Sequence, residues 1–311
     1  MFGCTWAPLW SVHQSCCKWT AGGFWGAGKK DEKFRYGGLE AAALGRVVSL
    51  HAILSEFRPM VLKQSVVALS GALGYTILKV RSNMTILMEI AERLYPGRPV
   101  LFLDGGANSG QTILDLNKVA AKSKLKGRVE VLSFEPVSSN YEILGKNAKT
   151  CQNIDVKTYP IGLSDAEATF EINLAPHSYN HSIANNELHA NSGMGKEVIQ
   201  LKTIDKLLSH RDLSAFLVII KLNIEGHELQ AIKGAEQLIK SNQDVIFMVE
   251  VTFAPDNKQH AYFPDIFEHL SARGFVCSHM IEVTPSYDRD HRYKPAIAYV
   301  NVVFCQQRNP D

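Results

Sequence analysis

The sequence predicts an α/β domain on a mostly parallel, doubly wound sheet. Three observations carry that prediction. From Val100 onward, short apolar runs alternate with amphipathic stretches, giving strands at 100–104, 129–135, 155–161, 215–223 and 245–251 and helices at 110–122, 137–149, 227–240 and 263–273. The first strand enters its helix through a glycine-bearing turn, Gly105 to Gly110. Two last strand-like stretches, 275–283 and 297–305, follow one another without a helix, so a hairpin closes the sheet and an antiparallel strand is expected at its edge.

The elements before this sheet differ from it. Residues 1–30 hold all four tryptophans, three of the six cysteines and no acidic residue, and read as a disordered leader, with organelle targeting as the alternative. Residues 39–57 have a helical apolar face, Ala43, Val47, Leu50, Ile53, Leu54 and Phe57, and Pro59 follows it. Residues 61–80 are apolar nearly all round. Their longest uncharged run, Gln64 to Leu78, has 15 residues, short of the roughly 18–20 that span a bilayer. It reads as a buried or membrane-surface helix, with membrane association a minor alternative. A further helix is expected from Met84 to Leu94, closed by Pro96 and Gly97. The division expected is a leader at 1–30, a helical extension at 31–97 and the main domain at 98–308.

Composition excludes several classes of function. The chain of 311 residues is 46% hydrophobic and 21% charged, ordinary for a globular protein. A net charge of +2, without a basic stripe bearing aromatics, argues against a nucleic-acid partner. The six cysteines, Cys4, Cys16, Cys17, Cys151, Cys277 and Cys305, have no metal-finger spacing and read as reduced thiols of an intracellular, cytoplasmic protein. His177 and His181 are four apart, but Pro176, Asn180 and Ser182 mark a loop there, so no metal site is expected. Phe170–Ile172 and Val198–Leu201 could pair as a small hairpin, with residues 174–195 as a polar lid between them.

The chemistry gathers at the strand ends. A dinucleotide fingerprint would carry a middle glycine where Asn108 stands between Gly106 and Gly110, and here Asp104 ends the strand. Backbone N–H groups at the helix start suit a carboxylate, and Asp104 suits an ammonium. S-adenosylmethionine has such a zwitterionic end, whereas NAD does not; glycines that serve packing alone are the bland alternative. Glu135 ends the second strand in Phe-Glu-Pro, where a carboxylate accepts hydrogen bonds from both ribose hydroxyls of a nucleoside, unless it is a plain exposed glutamate. Ser164 and Asp165 end the third strand, bordering the base or forming a simple Asx turn. Lys221, Asn223 and Glu225 alternate onto one face if the fourth strand stays extended, putting Glu225 over the reacting atom. Glu228 fits better as a carboxylate favouring a helix N-terminus, and Glu250 points to the same rim.

Together these residues resemble the FkbM family of S-adenosylmethionine-dependent methyltransferases over roughly residues 84–305. The carrying motifs are Leu-Asp-Gly-Gly-Ala-Asn-Ser-Gly at 103–110, Phe-Glu-Pro at 134–136 with Asn147 after it, and Gly-Leu-Ser-Asp at 162–165. Lys-Leu-Asn-Ile-Glu-Gly-His-Glu at 221–228, Ala231 to Gly234 and Phe247 to Glu250 continue the pattern. The resemblance implies a Rossmann-like class I methyltransferase sheet of seven strands, S-adenosylmethionine as cofactor, and methyl transfer to oxygen, often on a sugar or polyketide hydroxyl. Asp104, Gly106, Asn108, Gly110, Glu135, Ser164 and Asp165 are the expected cofactor residues, and Glu225, Asn223 and Lys221 the expected catalytic ones. One departure matters. Asn223 stands where the family has aspartate, and a neutral amide cannot take a proton. The expected function is O-methylation of a small molecule or glycan. A catalytically inactive cofactor-binding scaffold is the alternative, and a nicotinamide oxidoreductase is a distant third.

Overall fold

The computed structural model describes residues 81–123, 128–176, 181, 183, 194–241, 243–255, 260–287 and 293–307. The leader, the two apolar stretches at 39–57 and 61–80, His177 and most of the expected lid lie outside the described residues. The compact unit that contains the described residues runs from Lys79 to Asp311.

The unit opens with α1 (Asn83–Leu94), capped where Ser82 Oγ accepts from the Thr85 backbone N–H at 3.2 Å. Then follow β1 (Val100–Gly105), α2 (Gln111–Ala121), β2 (Val129–Phe134), α3 (Ser138–Ala148) and β3 (Asp155–Tyr159). A small sheet comes next: β4 (Gly162–Leu163), β5 (Ala168–Asn173) and β6 (Lys196–Lys202). The main sheet resumes after α4 (Ile204–Leu208) with β7 (Leu217–Leu222), α5 (Glu228–Lys233), α6 (Glu236–Lys240) and β8 (Val245–Thr252). The last elements are β9 (Ala261–Tyr262), α7 (Phe263–Ser271), β10 (Phe275–Tyr287) and β11 (Tyr293–Gln306).

The main sheet is ordered β10-β11-β8-β7-β1-β2-β3, with the short β9 beside β8. This is the expected α/β fold, with one strand beyond seven. Strands β3, β2, β1, β7 and β8 are mutually parallel. The edge strand β10 pairs antiparallel with β11, which also lies antiparallel to β8. The strand running against the others is thus β11, one place in from the edge. Phe170–Ile172 and Val198–Leu201 pair as expected, within the antiparallel β5–β6 ladder.

Alternation along the central strands explains why both faces of the sheet are covered. Leu101, Leu103, Val218 and Ile220 turn to one face and pack with Ala231, Ile232, Leu238 and Ile266 of the later helices. Val100, Phe102, Leu217 and Ile219 turn to the other and pack with Met84, Leu87, Ile113, Leu116 and Leu144. Helix α1, assigned by the sequence to the N-terminal extension, is therefore part of the second core layer.

The single helix expected at 227–240 is two. Gly234 closes the first piece, and a Cβ there would lie 2.0 Å from the Ser164 carbonyl oxygen. Asp205 then caps the second piece, its carboxylate accepting from Gln237 N at 2.8 Å and Leu238 N at 2.9 Å.

Candidate active site

The carboxyl ends of the parallel strands open into one cavity of about 1050 Å³. It is lined by the glycine turn after β1, by Glu135 after β2 and by the exit of β7. Such a crevice is where open α/β sheets take ligands.

The glycine turn is held from three sides. Asn108 has φ 47 and Gly110 φ 95, and Gly110 is the N-cap of α2 with no side chain to cap it. The first N–H groups of an 11-residue helix are thus without a side-chain cap at the cavity wall, where Gln111 and Thr112 stand. Asn147 Nδ2 donates to the Ser109 carbonyl at 2.7 Å, tying the turn to α3. The Asn108 N–H donates to Glu135 Oε2 at 2.9 Å, and the Val137 N–H donates to Glu135 Oε1 at 3.0 Å. With the Asn140 side chain as a third donor, the carboxylate keeps one lone pair for a ligand. Burial pushes the Glu135 carboxyl up to about 7, against hydrogen bonds from Val137, Asn108 and Asn140 that favour its charge.

Asp104 is not on the cavity wall. It is fully buried below the turn, and Lys221 Nζ lies 3.1 Å from its Oδ1. Burial raises the Asp104 carboxyl, opposed chiefly by Lys221. The same ammonium reaches the carbonyls of Gly106 at 3.2 Å and Gly105 at 3.4 Å. Lys221 thus fastens the end of β7 to the turn after β1. Ser164 and Asp165 also stand back from the cavity. The Ser164 hydroxyl lies 3.0 Å from His227 Nε2 and donates to Asp165 Oδ1 at 3.2 Å, and it is His227 that reaches the wall. Burial lowers the His227 imidazole, with Asp165 opposing.

Lys221, Asn223 and Glu225 all meet the cavity, but not by strand alternation. β7 ends at Leu222, and Glu225 takes a left-handed φ of 53, followed by Gly226 at φ 93. A turn, rather than an extended chain, presents Glu225. Glu228 makes that turn. Fully buried, it accepts from Ile224 N at 2.8 Å, Gly226 N at 3.0 Å and Ala261 N at 3.2 Å. Its carboxyl is pushed up to about 7 by burial. The Glu225 carboxyl is pushed up to about 8, by burial first; His260 opposes the shift, while Glu250 and Glu228 add to it.

Sequence reasoning missed two groups here. His260 Nδ1 lies 3.1 Å from Glu250 Oε2, with its ring 4.9 Å from that of Tyr299. Burial works against the charged imidazole, but the hydrogen bond and charge of Glu250, with Glu225 and Glu228, outweigh it and raise the pKa. Glu282 is the second, on the far wall with Asn83 and Asn301. Neither has a motif, because each meets its partners across segments that the fold brings together: His260 beside β8, and Glu282 against α1 and β11. Of the expected lid, His181 reaches the cavity, where its Nδ1 accepts from Ala175 N at 3.0 Å. Among the described residues no helix is long and apolar enough to cross a membrane.

The residues present fit S-adenosylmethionine at the nucleoside end. The cavity exceeds the roughly 300–1000 Å³ of common small-molecule sites, the start of α2 after the turn has no side-chain cap, and Glu135 retains acceptor capacity. The expected ammonium partner, Asp104, is already engaged by Lys221.

No curated protein matches the chain significantly. Among solved structures it resembles methyltransferase FkbM from Methylobacillus flagellatus KT, at 14% identity and a TM-score of 0.38 over 68% of this chain and 46% of that one. The chain thus spans about half the length of that protein. A SAM-dependent methyltransferase from Methanosarcina mazei aligns at 11% identity and a TM-score of 0.35, over 67% of this chain and 93% of that one. The CurJ carbon methyltransferase aligns at 11% and 0.38, over 72% and 54%. The family model for the methyltransferase FkbM domain matches residues 104–277, more than half of the chain. That span runs from Asp104 through the glycine turn, Glu135 and the exit of β7, and the chain belongs to the FkbM methyltransferase family, whose cofactor is S-adenosylmethionine.

Proposed function

We propose that this chain transfers a methyl group from S-adenosylmethionine to a hydroxyl oxygen of a small molecule or glycan, with Glu225 as general base. The observation that carries the proposal is Glu225 itself. A carboxylate with its pKa pushed to about 8 is held in a left-handed turn on the wall of the cavity that also contains the glycine turn and Glu135. A base poised near the working pH suits an alcohol, which must lose its proton as its oxygen bonds to carbon.

Bound in this cavity, S-adenosylmethionine supplies the electrophilic methyl carbon. The backbone bend at Gly106, Asn108 and Gly110 would set the uncapped start of α2 against its anchored end, and Glu135 would accept from a ribose hydroxyl. Asp104 acts from below, holding Lys221 so that Lys221 fixes the turn. Ser164 and Asp165 set the base end by orienting His227. Asn223 lines the acceptor path as a hydrogen-bonding amide. The acceptor proton passes to a Glu225 oxygen, a contribution of about 10²–10⁴-fold, with positioning supplying more.

Asn223 also favours a second reading, a cofactor-binding scaffold without turnover, because an amide replaces the family's carboxylate. The two separate on one assay. Release of S-adenosylhomocysteine in the presence of polyol or glycan acceptors, lost in Glu225→Gln, supports methyl transfer. Cofactor binding with no release across such a panel supports the scaffold.

A further inference from the structure

Among the described residues, three that are not glycine have left-handed backbones: Asn108, Glu225 and Glu282, at φ 47, 53 and 55. All three line the same cavity. The first belongs to the glycine turn and the second to the exit of β7. Glu282 belongs to neither. It lies at the opposite side of the sheet, on the edge strand β10, separated from β1 by β7, β8 and β11.

A bulge puts it there. In the β10–β11 ladder Ile281 faces Asn301 and the next pair is Thr284 with Tyr299, so three steps on one strand match two on the other. Bulges beside sites re-aim side chains in this way. The Glu282 carboxylate accepts from Asn83 Nδ2 of α1 and from Asn301 Nδ2 of β11, the latter at 3.1 Å. Asn301 is only 4% exposed, yet it reaches the cavity. Each amide spends one N–H on the same Glu282 oxygen, Oε2, so the carboxylate presents its Oε1 lone pairs to a ligand's donors. Met84, Met280 and Tyr299 flank them with apolar surface. A left-handed backbone would suit glycine at lower cost, and strain of this kind is retained where the side chain is needed.

We propose that Glu282, held by Asn83 and Asn301, forms the acceptor subsite and takes hydrogen bonds from a pair of neighbouring hydroxyls on the methyl acceptor. This rests on the methyl-transfer reading, which alone requires a second ligand beside the cofactor. The subsite favours uncharged, donor-rich groups and disfavours carboxylates and phosphates.

The test uses the full chain saturated with S-adenosylhomocysteine and two probes, methyl α-glucopyranoside and myo-inositol, in calorimetry and saturation-transfer NMR. The parent is expected to bind at least one probe saturably, and Glu282→Gln and Glu282→Gly to weaken it by about tenfold or more. Both variants should stay folded, as thermal melting reads, and hold S-adenosylhomocysteine within about twofold of the parent. A parent that binds the cofactor product but neither probe, or variants that bind the probes as the parent does, overturns the subsite alone. A parent that does not bind S-adenosylhomocysteine overturns the methyl-transfer reading, and the subsite with it.

Discussion

A Cβ added to Gly106 would lie 1.9 Å from the carbonyl oxygen of Asn223. The turn after β1 and the exit of β7 are therefore in backbone contact, with the Asn223 N–H donating to the Gly105 carbonyl at 3.2 Å. Gly106→Ala must push them apart and also strain a φ of 72. It is expected to destabilise the fold by more than about 1 kcal/mol and to abolish cofactor binding. Gly145 in α3 is the control, because nothing lies within 4 Å of an added Cβ there. Gly145→Ala should stabilise by about 0.5–1 kcal/mol. Thermal melting with a cofactor titration checks both.

Glu135 predicts a pH dependence of cofactor affinity. Its carboxyl is raised to about 7, and ribose hydroxyls donate better to the ionised form. Binding should therefore release a proton below that pH, and affinity should weaken as pH falls through about 7. Calorimetry in two buffers of different ionisation enthalpy reads that proton. Glu135→Ala should remove detectable binding while the chain stays folded, since each hydrogen bond to a charged acceptor is worth about 1.5–3 kcal/mol. Unchanged affinity in a folded variant would take Glu135 out of the site.

Glu225 predicts a pH dependence of the rate. A base must be ionised, so turnover should rise with pH and level off above about 8. Glu225→Gln should keep cofactor affinity within about tenfold, or 1.4 kcal/mol, and lose about 10²-fold or more in turnover. Asn223→Asp restores the family's carboxylate and should raise turnover or extend the active range to lower pH. Full activity in Glu225→Gln would leave positioning as the source of the rate.

What the sequence made legible was local. The strand, glycine turn and helix around Gly106 and Gly110, and the apolar alternation of Val100 to Leu103, are properties of neighbouring residues, and their secondary structure follows. Glu228 shows the limit. It occupies the first turn of α5, where a carboxylate at a helix start explains itself, but its oxygens clamp Ile224, Gly226 and Ala261. Extended alternation was the wrong geometry for Glu225, because that clamp turns the chain back after Leu222. His260 with Glu250, and Glu282 with Asn83 and Asn301, pair across sequence distances that no local pattern records. Likewise α1 joins the core through Met84 and Leu87, contacts made with strands far along the chain.

Methyl transfer to oxygen leaves its record in the product's new bond. The full chain is incubated with S-adenosylmethionine carrying a carbon-13 methyl group and a panel of polyol and glycan acceptors, and the product is examined by NMR. Methyl transfer to oxygen predicts release of S-adenosylhomocysteine together with a labelled methyl on an acceptor oxygen, both lost in Glu225→Gln. A labelled methyl on nitrogen or carbon, or cofactor bound with no release in any reaction, would contradict it.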